Sequence, residues 1–211
     1  MALFLDSADP SEAREAAGYG FVRGCTTNPA LLARAGARDP RAALEVLVDL
    51  FEGPVFYQLM ARDLEGLRAE ARTFLPLGPR LGLKIACTLD GLRLAAELAP
   101  EATLAMTGVF TPGQAYLAAQ AGAHYVIPYV NRITRFTGDG PGTIDAIAEA
   151  LAFEDCAVLA AGIKSPAEAI EALLAGADHL SLPLSVIQSM ADNELTRRAI
   201  DDFEAAWRGA G

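Results

Sequence analysis

Short apolar runs recur from one end of the chain to the other, at residues 2–5, 21–24, 54–59, 81–86, 103–106, 124–128, 157–161 and 179–182. Their length and their Gly and Pro boundaries predict β-strands. Between them lie alanine-rich segments with apolar residues at helical spacing, at 64–74, 90–98, 112–121, 144–151 and 166–174. Ser165-Pro166 and Thr111-Pro112 each set a capping hydroxyl before a proline suited to the first helical position. Gly122 and Gly176 close the helices they follow. Eight strand–helix units predict an α/β fold of the (β/α)8 barrel type. A doubly wound open sheet competes, but it favours a Gly-rich turn after its first strand, where this chain has Asp6-Ser7-Ala8-Asp9-Pro10. One domain is expected over residues 1–211. An extra helix near 194–208 places Phe203 and Trp207 at i, i+4 spacing, suited to packing on the barrel or on a neighbouring subunit.

Alternation within the fourth run is informative. Leu81, Leu83 and Ile85 share one face of the strand, and Gly82, Lys84 and Ala86 share the other. Lys84 and Lys164 are the two lysines of the chain, against fifteen arginines. Arginine stays protonated, whereas a poorly solvated lysine can lose its proton and attack a carbonyl. An ordinary lysine, with a pKa of about 10.4, is only ~0.1% neutral at pH 7. Burial or a nearby cation can bring that value to about 7–8. The neutral amine then condenses with a ketone, and the iminium acts as an electron sink. A lysine that reaches solvent or pairs with Asp6 is the other reading of the same position.

In a barrel of this kind, reactive groups come from the carboxyl ends of the strands. Those ends carry Asp6, Thr26, Thr27, Asn28, Gln58, Lys84, Thr107, Tyr129, Asn131, Arg132, Lys164 and Ser181. Asp6 can hold a hydroxyl, pass a proton, offset Lys84 or cap the next helix. Gln58 cannot titrate, so it orients water. Tyr129 can orient water too, and can act as a base if its pKa is lowered. Lys164 follows Gly162 and precedes a capped helix, which suits a phosphate or a plain surface lysine. Arg132 and Arg135 can complete an anion site, although Arg135 reads better as facing water. His124 and His179 begin their strands and read as structural.

Composition narrows the alternatives. The chain is 52% apolar by residue, yet no run approaches the roughly 18 residues of a membrane span. The opening Met1–Asp6 meets an acid at once, so a signal peptide is not expected. A net charge of −10 disfavours nucleic acid while leaving room for a local phosphate site. Cys25, Cys87 and Cys156 are odd in number and widely spaced, which predicts reduced thiols in a cytoplasmic protein. No cysteine pair or histidine cluster suggests a metal.

Three motifs carry a resemblance. Thr26-Thr27-Asn28-Pro29 after the second strand, Lys84 ahead of Cys87-Thr88, and Pro128-Tyr129-Val130-Asn131-Arg132-Ile133 after the sixth resemble the small transaldolase family, which includes the fructose-6-phosphate aldolases. Leu3-Phe4-Leu5-Asp6 and Leu182-Pro183-Leu184 fit as well, so the match runs nearly end to end. The resemblance implies a class I aldol mechanism without metal or organic cofactor, acting on ketose and aldose phosphates. It makes Lys84 the Schiff-base lysine, with Asp6 and Asn28 on hydroxyls of the dihydroxyacetone unit and Asp6 assisting proton transfer. It places Thr26 at the same mouth, Thr107 on a water, and Arg132 on the phosphate, with Gly162, Lys164 and Ser165 beside it. It also implies a homodecamer of two pentameric rings. Gln58 and Tyr129 look like the aldolase pattern, since transaldolases usually have glutamate and phenylalanine there. Gly162 departs from the serine common in the family.

Overall fold

The computed structural model describes residues 1–209; residues 210 and 211, the end of the expected domain, lie outside the described residues. Eight parallel strands close in sequence order into a barrel: β1 (Ala2–Asp6), β2 (Val22–Thr26), β3 (Val55–Gln58), β4 (Leu81–Ala86), β5 (Leu104–Val109), β6 (Tyr125–Pro128), β7 (Ala157–Ala160) and β8 (His179–Leu182). The helices in chain order are α1 (Pro10–Gly18), α2 (Pro29–Arg34), α3 (Pro40–Leu50), α4 (Leu64–Phe74), α5 (Leu89–Leu98), α6 (Pro112–Gln120), α7 (Val130–Thr137), α8 (Gly140–Ala150), α9 (Pro166–Leu174), α10 (Leu184–Ala191) and α11 (Glu194–Gly209). None is long and apolar enough to cross a membrane.

A shared device starts several helices. Asp9, Asn28, Asp39, Thr111 and Ser165 each accept a hydrogen bond from a first-turn N–H and precede a proline. Asp9, rather than Asp6, caps α1, so the helix-cap reading of Asp6 is set aside. Two expected strands shift. The run at 21–24 becomes β2 at Val22–Thr26, because Phe21 turns outward and stacks on Tyr19 with ring centroids 5.7 Å apart. The run at 103–106 extends to Val109, with a register shift between Thr107 and Val109. Gly108 sits in that irregularity at a φ of 69°, which favours glycine. The expected packing of Phe203 and Trp207 on the barrel does not occur. Both are exposed, and α11 buries no residue within the chain.

Strand alternation divides the core into two parts. Outward-facing residues such as Leu5, Leu83 and Ile85 join the helices in the main core. Inward-facing Phe4, Phe56, Ala105, Ile127, Leu159 and Ala161 form a separate cluster within the barrel. Below them Tyr125 stands edge-on to Phe56 (5.5 Å) and near His179 (5.6 Å). His179 Nδ1 also accepts from Ala2 N–H at 2.8 Å, in keeping with its structural reading. This aromatic layer fills the amino-terminal end of the barrel. Two residues further along their strands, on the same inward face, come Asp6, Thr26, Gln58, Lys84, Thr107 and Tyr129. Apolar floor and polar ceiling are thus set by the period of two.

Candidate active site

The polar ceiling opens into a cavity of about 990 Å³. Asp6, Thr26, Asn28, Gln58, Lys84, Tyr129, Arg132, Gly162 and Lys164 all border it. Gln58 is the cross-strand partner of Lys84 in the β3–β4 register. Lys84 is only 3% exposed, and its amine makes no hydrogen bond among the described residues. Burial pulls its pKa down to about 8, against the opposing attraction of Asp6. Burial likewise pushes the Asp6 carboxyl up; Lys84, a hydrogen bond from Thr26, Lys164 and Arg34 partly offset that. The two groups therefore both lean toward their neutral forms. Asp6 is thereby a better proton acceptor than a solvated carboxylate, and Lys84 gives up its proton more readily than a solvated amine, which leaves more of it in the nucleophilic form.

Asp6 is held in place from below. Thr26 Oγ1 donates to Asp6 Oδ1 at 2.9 Å and lies 2.6 Å from Ser181 Oγ. Thr26 and Ser181 are buried, so their hydroxyls have no solvent to compete for. Thr27 turns away from the cavity and donates to Phe56 C=O at 2.8 Å. Asn28 spends its Oδ1 on Leu31 N–H at 3.0 Å. That leaves its amide NH2 as the free group.

Tyr129 shares a hydrogen bond with Thr107, and the guanidinium of Arg132 lies 5.0 Å from its ring centroid. Burial raises the phenol's pKa, while Thr107 and Arg132 only moderate the effect. The lowered value that a base would need is not found; the Tyr129 phenol stays neutral. Thr107 stands behind the phenol rather than in the cavity wall.

On the β6–β7 side, Glu168 in the first turn of α9 links two segments. Its Oε1 accepts from Asn131 Nδ2 at 3.0 Å and its Oε2 from Lys164 N–H at 2.8 Å. Ser165 lies outside the cavity wall, and its hydroxyl accepts from Glu168 N–H at 3.2 Å. Gly162 has a φ of 67°, and a Cβ there would meet Tyr129 Cβ at 3.4 Å. Arg135, expected to face water only, also borders the cavity, as do Arg34, Asp9 and Glu12. Inspection of strand ends misses Arg34, because it comes from the far end of the helix after β2. The proline-capped segment before it was the available signal.

A family model described as transaldolase/fructose-6-phosphate aldolase matches residues 3–209. A probable transaldolase of Exiguobacterium sibiricum is 34% identical over 213 residues, covering 100% of this chain and 99% of the relative. One from Anaeromyxobacter sp. (strain K) is 36% identical, covering 98% and 96%. Among solved structures, an inosine 5′-monophosphate dehydrogenase of Legionella pneumophila superposes with a TM-score of 0.62 at 17% identity, and a mandelate oxidase with 0.61 at 17%. Each superposition covers 88% of this chain but only 58% and 64% of those longer chains, and shares the fold alone. By sequence along nearly its whole length, the chain belongs to the transaldolase/fructose-6-phosphate aldolase family.

Proposed function

We propose that the protein is a class I aldol enzyme that removes a dihydroxyacetone unit from ketose phosphates such as fructose 6-phosphate. The observation that carries this reading is Lys84: a buried amine with its pKa drawn down to about 8, open to the cavity and within the field of Asp6. In the proposed sequence, the neutral amine adds to the C2 carbonyl. The carbinolamine loses its oxygen as water, which leaves an iminium. Asp6 accepts the proton of the C4 hydroxyl as the C3–C4 bond breaks. The bonding pair moves into the iminium to give an enamine, and glyceraldehyde 3-phosphate departs. Arg132 and Lys164 hold the phosphate until that aldehyde leaves, since a guanidinium and an ammonium beside a helix start suit its oxygens.

Two products diverge from the enamine. A proton delivered to C3 from the Tyr129 side, followed by hydrolysis of the iminium, gives free dihydroxyacetone. Attack of C3 on an aldose phosphate gives transfer. Gln58 contributes no proton to either route; it orients the water that hydrolyses the iminium.

The exposed apolar face of α11, with Leu195, Phe203 and Trp207, supports assembly through a neighbouring copy into the decamer that the family resemblance implies. Native mass spectrometry of the intact protein and of Phe203→Asp/Trp207→Asp tests this: a mass unchanged by the double substitution removes α11 from the assembly. The free thiols suit a reducing cytoplasm.

Borohydride reduction in the presence of fructose 6-phosphate tests the chemistry. A mass increase at Lys84 is expected; labelling at Lys164 alone, or at neither, defeats it. Product analysis with and without erythrose 4-phosphate then divides release from transfer.

A further inference from the structure

Ser181 stands outside the proposed mechanism, yet it ends a chain of hydroxyls that leads to Asp6. It is fully buried on the inward face of β8. Phe4 of β1 is in register with Ser181 on one side, and Asp6 is in register with Thr26 on the other. The two hydroxyls thus flank β1 and meet on its inner side, with their oxygens 2.6 Å apart. Thr26 Oγ1 also lies 2.9 Å from Asp6 Oδ1.

Counting protons gives this chain a direction. A hydroxyl donates one hydrogen bond and accepts others, whereas an ionised carboxylate only accepts. Thr26 spends its one proton on Asp6 Oδ1, so in the short contact with Ser181 it is Ser181 that donates and Thr26 that accepts. The reverse order would leave the Ser181 proton without an acceptor among the described residues, at a position closed to solvent. A buried donor of that kind is costly and rare. Hydroxyl dipoles that point the same way strengthen one another, so negative charge on Asp6 Oδ1 is stabilised from the far side of Thr26. Asp6 Oδ2 makes no hydrogen bond among the described residues, and Asp6 borders the cavity.

We propose that Ser181 is a positioning residue for the proton transfer: by donating to Thr26 it fixes Asp6 Oδ1 as an acceptor and leaves Oδ2 to receive the proton of the substrate hydroxyl. This rests on the reading above, in which Asp6 takes the C4 hydroxyl proton as the C3–C4 bond breaks. Oδ2 gains that proton, the C4 oxygen becomes the aldehyde carbonyl, and the bonding pair passes into the enamine. Burial raises the pKa of Asp6, and Lys84, Thr26, Lys164 and Arg34 draw it back. Tyr129 and Cys25 also lie within its field. Of all these groups only Thr26 is hydrogen-bonded to Ser181 among the described residues. A change at Ser181 therefore reaches Asp6 through Thr26.

Infrared titration of the Asp6 carboxyl tests the chain, each spectrum being read against the same protein carrying Asp6→Asn. In Ser181→Ala the midpoint should rise by about half a pH unit, which is a roughly 3-fold weaker acid. Ser181→Thr keeps the hydroxyl and should hold the parent value. In a Thr26→Val background, Ser181→Ala should move the midpoint no further. An unchanged midpoint in Ser181→Ala, an equal rise in Ser181→Thr, or a further rise in the Thr26→Val background overturns the role. With fructose 6-phosphate, Ser181→Ala should lower kcat about 10-fold, a fraction of what a positioned base contributes, with KM and borohydride trapping at Lys84 little changed. A loss of trapping as large as the loss of kcat would mean that the whole site is disturbed, and also overturns it. Failure of trapping in the parent would instead defeat the Lys84 chemistry, while the infrared midpoints still decide the direction of the chain.

Discussion

Phe56 occupies the space that a side chain at Gly82 would need: a Cβ at position 82 would lie 2.5 Å from Phe56 Cε1. Gly82 is two residues before Lys84 on the inward face of β4, so the ring of Phe56 forms the floor beneath the amine. Gly82→Ala should therefore cost about 1–3 kcal/mol through overpacking, and slow imine formation by forcing the ring toward Lys84. Urea denaturation with imine trapping on the same preparation checks both. A variant within about 0.5 kcal/mol of the parent and equally reactive would show that the ring yields freely.

Lys84 carries a stability cost with a defined pH window. Its folded pKa of about 8 lies below the unfolded value, so the folded state binds the proton more weakly. The penalty is complete below about pH 8 and fades as pH rises toward the unfolded value of about 10.4. Lys84→Met should accordingly be more stable than the parent at pH 7, by up to about 3 kcal/mol, with the difference shrinking by pH 9.5. A gap that stays constant between those two pH values contradicts the depressed pKa. In the parent, imine trapping should rise with pH around a midpoint near 8. In Asp6→Asn that midpoint should move lower, since the carboxylate favours the ammonium form.

Tyr129→Phe removes the neutral phenol and leaves the ring beside Arg132. Free dihydroxyacetone should fall by about 10²-fold, the low end for a positioned acid, while transfer to erythrose 4-phosphate falls less. Product ratios by chromatography decide this, and an unchanged ratio excludes the phenol as the proton donor. The buried Thr107 hydroxyl loses its partner in the same variant, at about 1–3 kcal/mol, so stability is measured alongside.

Glu168 touches no cavity atom, but it ties the Lys164 backbone to Asn131 at the start of α7. Its loss should loosen the segments that carry Arg132 and Lys164 relative to each other. Glu168→Ala is expected to raise KM for fructose 6-phosphate by about 10-fold with a smaller change in kcat. Glu168→Gln keeps one acceptor and should recover part of the loss. A fall in kcat at constant KM would assign Glu168 to a different step.

The barrel and most of its mouth were legible because both depend on local periodicity. Alternation alone puts Lys84 on the side of Gly82 and Ala86, and the same rule sends Asp6, Thr26 and Gln58 inward above Phe4, Gly24 and Phe56. The shifted edges of β2 and β5 depend on Tyr19 stacking and on the turn at Gly108, which no run of apolar residues encodes. Arg34 escaped, and Arg135 was assigned to water ahead of the anion site, because both reach the cavity from helices, several residues past the strand ends. The direction of the Tyr129 shift escaped because it depends on burial and on Thr107, a neighbour on another strand. The family resemblance set Ser165 beside the phosphate, whereas its hydroxyl caps the helix it introduces, as the Ser-Pro pair alone indicated.

The aromatic layer formed by Phe4, Phe56, Tyr125 and His179 makes the barrel a blind well rather than a tunnel. Anything that enters must leave by the same opening. Under the proposed chemistry, the first aldehyde has to vacate the well before an acceptor can reach the waiting enamine. Donor and acceptor then take turns, which predicts parallel lines in double-reciprocal plots and inhibition of transfer by excess glyceraldehyde 3-phosphate.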